Sequence, residues 1–419
     1  VSGVPDINAG SYSVTTTVTN PNYVGSGSTP FTILQAPATI ALSNLSQVYS
    51  GNPLAATATV TPAYCGPAAV SYDGSATAPS NIGTYAVVAA EANPNCTASN
   101  ATGTLIVNAF AASSCVYALN PTARSAFSVA DGAKLDAQCS IQVNSAARDA
   151  FDVDGRKSTV DATAISVVGG AAVDRFATVS SKPATGQTAA ADPLAAVVAP
   201  TVGACVNTGD RDRDRDDNHG SKNITLNPGT YCGGINIHGR STVTFNPGTY
   251  ILLGGGLNID GGAQVTGTGV TFYNTGDHEH RYQPIHIDGG SKTTLSAPVS
   301  GPLAGVLFFQ DRAIVQKGDH DRDDHGDDNH PQPNVISGNT ESSFAGALYF
   351  PTTPLIYSGG SEQDPAVYTL IVADTVSVAG HSNVSLTVLG TPMSDTDSDA
   401  ACSPGPGKDC DHGRDGDHR

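Results

Sequence analysis

The chain has almost none of the residues and periods from which helical proteins are built. Its 419 residues include no Trp and one Met, and apolar side chains seldom recur at intervals of three and four. Alternating runs of about four to seven residues, separated by Gly, Pro and Asn, take their place. The pattern predicts an all-β protein, and the length leaves room for about two to four domains.

Positive charge is scarce as well. The sequence has 20 Lys and Arg against 38 Asp and Glu, for a formal net charge of −18. Phosphate backbones are bound by basic patches, so this balance argues against nucleic acid as a partner. An acidic surface is typical of a soluble, self-repelling surface protein or of a protein that collects cations.

Long apolar runs are missing too. No segment approaches the roughly 18 apolar residues of a membrane-spanning helix, and no basic stretch followed by an apolar one stands at Val1. We therefore expect no membrane span in this chain. Because the chain starts in the middle of a strand pattern, we interpret it as a mature or clipped product.

The eight cysteines include no Cys-x-x-Cys pair. A structural zinc site expects thiolates two to four residues apart, whereas an even count without that spacing favours disulfides and an oxidising compartment. The sequence alone does not prove their connectivity. Neighbours along the chain form four candidate pairs, which are Cys65 with Cys96, Cys115 with Cys139, Cys205 with Cys232, and Cys402 with Cys410.

The strongest pattern that is present is a repeat in the second half of the chain. ITLNPGTY at residues 224–231 returns as VTFNPGTY at residues 243–250, a period of 19 residues. A second echo, INIHG, LNIDG and IHIDG, begins at Ile235, Leu257 and Ile285. Self-similarity at about 20 to 30 residues, built from short strands, predicts a solenoid in which each coil stacks on the next. We expect a right-handed parallel β-helix.

Two N-terminal segments also echo each other. NAGSYSVTTTVTNPNY at residues 8–23 corresponds to NIGTYAVVAAEANPNC at residues 81–96. With YSG at 49–51 and YDG at 72–74, these phrases resemble the MBG-type Ig-like repeats of large bacterial surface proteins. The resemblance implies β-sandwich spacers, with residues 1–36 as the C-terminal part of one module and residues 37–109 as a second. One departure is Cys96, which stands where the first copy has Tyr23.

The first segment is too short to be a complete sandwich. Residues 1–35 supply only about three strands, so their edges and apolar faces need cover. In one interpretation upstream sequence provides it, which we favour because such repeats run in long arrays. In the other a neighbouring chain donates strands, and the contact propagates into filaments unless it closes into rings.

The remainder of the chain carries the phrases of a second family. ALNP at residues 118–121, LNPGTYCGGI at 226–235, GVLFFQDR at 305–312, GALYFP at 346–351 and YTLIVADT at 368–375 resemble the β-helical module of Tad-pilus-assembly-like bacterial surface proteins. The resemblance implies an extracellular or cell-surface location. We expect the β-helix over residues 110–392, with insertions at 210–220 and 318–331. Residues 182–203 are expected to cross its surface, and residues 393–419 form an acidic Asp/His-rich tail.

Asp and His are concentrated in the two insertions. Asp-x-Asp-x-Asp is the spacing of calcium loops, and interleaved His suits Zn²⁺, Ni²⁺ or Cu²⁺. No cofactor is required, but the sequence predicts weak, multisite binding of Ca²⁺ or another divalent cation. The EF-hand template is incomplete, since Gln332 stands where its final Glu is needed. The alternative is solvated charged loops. The candidate ligands are Asp210, Asp212, Asp214, Asp216, His219, Asp319, His320, Asp321, Asp323, His325, Asp327 and His330.

The echoed turns hold a second constellation. If they lie in register, His238, Asp260 and Asp288 form a column about 4.8 Å apart, which suits general acid–base chemistry. Later coils place Ser337 and Ala379 there, as expected of an exposed turn that tolerates small residues. The phrases of pectin-degrading β-helices, a nucleophile elbow, a phosphate loop and a Rossmann fingerprint are not found. We therefore predict no catalytic residue.

The expected function is structural, as a secreted or surface-displayed adhesin, stalk or extracellular filament subunit. Self-association, other surface proteins and polysaccharide are the expected partners. The alternative is a β-helical carbohydrate-active enzyme or carbohydrate-binding protein. A groove lined by aromatic residues and paired acids would favour that alternative.

Overall fold

The protein is all-β. The computed structural model describes residues 8–206, 223–287, 290–314, 332–337, 342–358, 369–380 and 382–386. Within these ranges it contains no α-helix and a single 3₁₀ turn at Ala63–Cys65. The chain forms two units, Val1–Leu389 and Gly390–Arg419, and the second lies outside the described residues. The predicted fold class is confirmed at this level.

The N-terminal unit begins with an isolated hairpin. Strand β1 (Gly10–Thr17) pairs antiparallel with β2 (Ser26–Ile33), and Tyr12 lies opposite Phe31. Strict alternation gives the hairpin one apolar face and one Ser/Thr face. Residues 8–35, the described part of this segment, contain these two strands and not the expected three. Strand β3 (Ala36–Pro37) follows and pairs with a strand of the next module.

That following module has a small core between short sheets. Its other strands are β4 (Thr39–Ser43), β5 (Ser46–Val48), β6 (Thr57–Thr61), β7 (Ala69–Tyr72), β8 (Gly83–Ala90), β9 (Cys96–Thr97) and β10 (Ala101–Asn108). They form a four-stranded sheet in the order β5-β10-β8-β7 and the pairs β4–β6 and β3–β9. Buried Tyr72, Val87, Leu105 and Val107 fill the space beneath the four-stranded sheet. The Cys65–Cys96 disulfide lies in a second small cluster.

The rest of the described chain is a stack of coils whose strands pair in parallel. The first run of coils contains β11 (Val116–Ala118), β12 (Phe127–Val129), β13 (Lys134–Val143), β14 (Phe151–Val153), β15 (Thr159–Val167), β16 (Ala171–Val173) and β17 (Thr178–Val179). Cys115 and Cys139 form a disulfide between neighbouring coils of this run.

The second run is longer. Its strands are β18 (Asn223–Leu226), β19 (Gly229–Cys232), β20 (Ile235–Ile237), β21 (Thr242–Phe245), β22 (Gly248–Leu253), β23 (Leu257–Ile259), β24 (Gln264–Thr268), β25 (Val270–Thr275), β26 (Ile285–Ile287), β27 (Lys292–Ser296), β28 (Val306–Gln310), β29 (Asn334–Ile336), β30 (Ser343–Phe350), β31 (Leu355–Tyr357), β32 (Thr369–Ala373), β33 (Val376–Val378) and β34 (Asn383–Leu386).

The sequence repeats correspond to the register of the stack. Ile224 pairs with Val243, as the 19-residue period predicts, and Ile235 pairs with Leu257, which pairs with Ile285. Later periods are longer because segments such as residues 276–284 and 297–305 leave the stack between strands. Inward side chains stack on their own kind, and buried Tyr250, Phe272 and Phe308 form a continuous aromatic ladder.

The order of coils in space corrects one expectation. The sequence predicts that each coil stacks on the next, but β17 and β18 lie at opposite ends of the sheet order β17-β15-β13-β11-β32-β30-β27-β24-β21-β18. The last strands of the described ranges, β32, β33 and β34, instead pair with β11, β12 and β13. This junction, which we call the seam, joins the two runs because residues 180–206 carry the chain back from one end to the other.

One side-chain contact at the seam joins two of the phrases noted in the sequence. Asn120, from ALNP, donates its amide to both carboxylate oxygens of Asp374, from YTLIVADT, at 3.0 Å. The backbone N–H of Asn120 also donates to the carbonyl of Asp374. Burial raises the pKa of Asp374 above its ordinary value, and the hydrogen bond from Asn120 opposes that rise. The seam therefore contains a carboxylate that its surroundings destabilise.

Replacing Asp374 with Asn should change the pH dependence of stability. Asp374→Asn keeps an acceptor for Asn120 and removes the charge. Because the pKa of Asp374 is raised in the folded protein, protonation of this carboxyl stabilises the folded wild type. The contribution is fully present below the ordinary pKa of 3.8 and is lost as pH rises through the folded-state pKa. Between about pH 4 and about pH 7, the free energy of unfolding of the variant should therefore rise relative to that of the wild type. Urea titrations at the two pH values measure this difference.

Asp161→Asn is the matched control, because Asp161 is exposed on β15. Its free energy of unfolding should follow that of the wild type at both pH values. Parallel pH profiles for Asp374→Asn and the wild type would contradict the prediction.

Candidate functional site

All of the predicted metal ligands lie outside the described residues. These are Asp210, Asp212, Asp214, Asp216, His219, Asp319, His320, Asp321, Asp323, His325, Asp327 and His330. Cys402 and Cys410 also lie outside them. Within the described ranges, no group of three or more His, Cys, Asp or Glu side chains is arranged to hold a metal ion. The other three predicted disulfides are present.

The echoed turns bring His238 and Asp260 together. The pairing of β20 with β23 aligns their turns, and His238 Nδ1 lies 2.8 Å from Asp260 Oδ2. The side chains are 58% and 34% exposed. Asp288, the predicted third member, lies outside the described residues. The described pair is a surface imidazole–carboxylate contact between two turns that the strand pairing aligns.

The loop that contains His280 packs on a turn of three consecutive glycines. Gly254, Gly255 and Gly256 all have φ between +62° and +71°, and a Cβ on any of them would overlap atoms of a neighbouring turn or loop. Added to Gly254, for example, it would lie 2.7 Å from His280 Cβ. The carboxylate of Asp277 accepts hydrogen bonds from the backbone N–H groups of Glu279 and His280 in its own loop. The bond from His280 is the chief cause that lowers the pKa of Asp277. This loop is organised by its own contacts.

An aromatic ladder lies on the outer face of one sheet and is buried. Tyr273 pairs with Phe309 and Phe309 with Tyr349 in successive coils, with ring centroids 5.3 Å apart at each step. The side chains of Leu194 and Val197, from the returning segment, pack on this ladder. We call residues 184–206 the strap. It covers an apolar face that would otherwise meet solvent.

The strap spans the sheet from end to end. Ala184 bridges to Ser166 on β15, and Cys205 bridges to Thr230 on β19. Nine strands lie between these points inclusive, which corresponds to about 38 Å at ~4.8 Å per step. The Cys205–Cys232 disulfide fixes its far end, and near its start the amide of Asn144 both donates to and accepts from the backbone of Ala190.

Arg312 fastens the middle of the strap. Its guanidinium donates to the carbonyls of Val197 and Leu194 at 3.0 and 2.5 Å and to the hydroxyl of Tyr349 at 2.5 Å. It also lies 4.9 Å from the ring centroid of Tyr349. The Tyr349 hydroxyl donates in turn to Asp192 of the strap, at 2.6 Å. Burial and this hydrogen bond raise the pKa of Tyr349. Arg312 thus acts as a structural clamp.

The second N-terminal module is joined to the stack by a loop. The hydroxyl of Tyr49 accepts from the backbone N–H of Gly301 at 2.8 Å, and Ile82 donates its N–H to the carbonyl of Val299 at 2.9 Å. Ile82 and Ala304 are buried in one small apolar cluster. We call this contact the joint. It fixes the module against the loop between β27 and β28.

The sequence analysis quoted the phrases that contain Arg312 and Tyr349 but predicted no role for either residue. Arg312 lies in GVLFFQDR and Tyr349 in GALYFP, two phrases that mark the second resemblance. A conspicuous Arg in a chain with few cations was a signal for Arg312. No signal in the sequence connected Tyr49 with Gly301, because the two residues are 252 positions apart.

Comparison with known proteins identifies only the N-terminal region. Residues 2–37 and residues 38–111 each match the model of the MBG domain, which supports the resemblance stated above for that region. The match is consistent with a surface or extracellular protein, and the disulfides are compatible with that location. No curated protein and no solved structure matches the chain. The described ranges contain no helix that is long and apolar enough to cross a bilayer.

The clamp predicts how the strap responds to a change at Arg312. Arg312→Lys keeps the charge but cannot contact two carbonyls and a hydroxyl with one planar fork. We expect the free energy of unfolding to fall by about 2 kcal/mol and protease cleavage within residues 186–204 to accelerate. Arg148→Lys, at an exposed position, should change stability by less than about 0.5 kcal/mol. Equal cleavage rates in both variants would rule out the clamp.

Proposed function

We propose that this protein is a secreted or surface-displayed structural protein of a bacterium, acting as an adhesin, a stalk or a subunit of an extracellular filament. In this proposal the MBG region forms Ig-like spacer modules, and the coil stack is a right-handed parallel β-helix that they carry. The joint is the observation that supports it best. Tyr49, Ile82 and the buried Ala304 hold a spacer-type module against the stack, as an arrangement that transmits position or force requires.

The construction of the stack favours the same role. Its core is continuous through both runs of coils, so bending the stack requires many parallel strand pairs to separate together. Disulfides reinforce it at neighbouring coils and at the end of the strap. Disulfides stabilise by restricting the unfolded chain, which suits a protein outside the cell.

We propose no catalytic role for the chain. Carbohydrate-active proteins present aromatic rings to sugars, and here Tyr273, Phe309 and Tyr349 are buried beneath the strap. The His238–Asp260 couple is a single contact between two exposed turns. A structural protein with extracellular partners, such as further copies of itself, other surface proteins or polysaccharide, accounts better for these arrangements than a carbohydrate-active enzyme does.

The location can be tested on intact cells of the bacterium that produces the protein. We expect antibodies to the coil stack to label unbroken cells or their medium, and added protease to remove that signal. A cytoplasmic enzyme assayed in the same cells serves as the control for lysis. Protection of the stack from protease until the cells are broken would exclude the proposed function.

We also propose that the Asp/His-rich insertions bind divalent cations. Their carboxylates are dense but no complete calcium loop is present, so we expect several ions with dissociation constants of about 10⁻⁴ to 10⁻³ M. Titration calorimetry with Ca²⁺ and Zn²⁺ should show binding that decreases when residues 319–330 are replaced by a Gly/Ser segment of equal length. Unchanged heats after the replacement would show that this insertion binds neither ion.

A further inference from the structure

One outward side of the second run carries a column of hydroxyl groups. Thr225 pairs with Thr244, Thr244 with Thr266, Thr266 with Thr294, and Thr294 with Ser343. The four threonines are exposed and Ser343 is half-buried, because the residues next to them along each strand point into the core. Five successive coils therefore present a hydroxyl at the same position.

Two further columns, with hydroxyl and amide side chains, flank this one. Asn246 donates its side-chain amide to the side chain of Asn227 in the adjacent coil, at 2.8 Å, and in the next coils Thr268 pairs with Ser296. The column on the other side contains Asn223, Thr242, Gln264 and Lys292. We call these three columns the hydroxyl face.

The spacing of the hydroxyl face is regular in two directions. Neighbouring strands lie about 4.8 Å apart, and alternate residues along a strand lie about 6.6 Å apart. The four strand pairings that align the face run without a register shift. Threonine is stiff at χ1, and the hydroxyl oxygens of Thr244 and Thr266 lie 3.4 Å apart. The face is therefore a rigid lattice of short polar side chains.

Charge is nearly absent from this face, although the chain has a formal net charge of −18. Lys292 is the one charged member of its three columns, and none of their members is aromatic. In the first run, by contrast, Asp136 pairs with Asp161 on the outward side of β13 and β15. Ionic minerals are bound by charged groups and sugar rings by aromatic side chains, so neither kind of partner suits the hydroxyl face.

Ice is a solid whose hydrogen-bonding groups repeat at nearly these intervals. Each water oxygen makes four tetrahedral hydrogen bonds of about 2.75 Å, which places second-neighbour oxygens about 4.5 Å apart and repeats the lattice about every 7.3 Å along the perpendicular axis. Both repeats lie within about a tenth of those of the hydroxyl face. Hydroxyl and amide side chains also donate and accept hydrogen bonds, as water does.

We propose that the hydroxyl face binds ice. Its hydroxyls and amides take the places of water molecules at the crystal surface, and many weak contacts act together because the coils hold them in register. The other outward sides of the second run are unsuited to this. The strap covers one, and the other has a mixed column in which His286 pairs with Val335. The proposal goes beyond the structural role proposed above, since it names a solid to which the protein binds.

Thermal hysteresis and uptake into a growing ice crystal, both measured with the full chain, test the proposal. We expect the wild type to lower the freezing point below the melting point and to be enriched in the ice. Thr266→Tyr places a ring in the middle of the face, which keeps the crystal from the neighbouring hydroxyls, and should reduce both activities at least about fivefold. Thr163→Tyr is the matched control, because Thr163 is exposed on β15 of the first run, and it should retain both activities.

Thermal unfolding separates loss of binding from loss of the fold. Both variants should unfold at the temperature of the wild type, because the replaced side chains are exposed. Thr244→Tyr, in the same column, takes the place of Thr266→Tyr if that variant is destabilised.

Three results would overturn the proposal. They are a wild type without either activity, activities that Thr266→Tyr leaves intact, and an equal loss in Thr266→Tyr and Thr163→Tyr. Retention on crystalline cellulose or chitin that Thr266→Tyr abolishes, without ice binding, would also overturn it and would identify a carbohydrate-binding face. Cell labelling is independent of these outcomes, so the surface location is tested separately.

Discussion

Pairing of β32, β33 and β34 with β11, β12 and β13 is the constraint on which the coil stack depends. Without it the stack would fall into two short runs, each with an exposed apolar end. Asn120 and Asp374, which meet there, are 254 residues apart. The first run therefore cannot gain this partner until nearly all of the described chain has been made. Contacts of such long range are associated with slow folding.

The strap follows from the same constraint. Because the second run ends against the start of the first, the chain must return along the whole stack before the second run begins. It does so over an outer sheet face whose aromatic residues are thereby buried. Arg312 satisfies two strap carbonyls at this face, where unpaired polar groups would be costly. The aromatic residues of this outer face thus form a second core.

Attachment of the second module has a mechanical consequence. The joint involves a loop between β27 and β28, and its backbone and apolar contacts hold the module in one orientation. Within the described residues, the hairpin before it contacts this module near its first strand, where Asn95 accepts from the backbone N–H of Ala9, and Phe31 on its apolar face remains 40% exposed. The N-terminal region thus contains one module that is anchored to the stack through the joint.

The sequence by itself determined the all-β class, and it predicted the register of the echoed turns and the pairing of the three described disulfides, because these depend on local alternation and on short separations along the chain. It located the MBG region through repeated phrases. It did not predict the seam, the clamp or the joint. Asn120 with Asp374, Arg312 with Leu194, and Tyr49 with Gly301 are each separated by more than 100 residues. Only the tertiary structure decided them, because parallel pairing gives no local signal of which coils become neighbours.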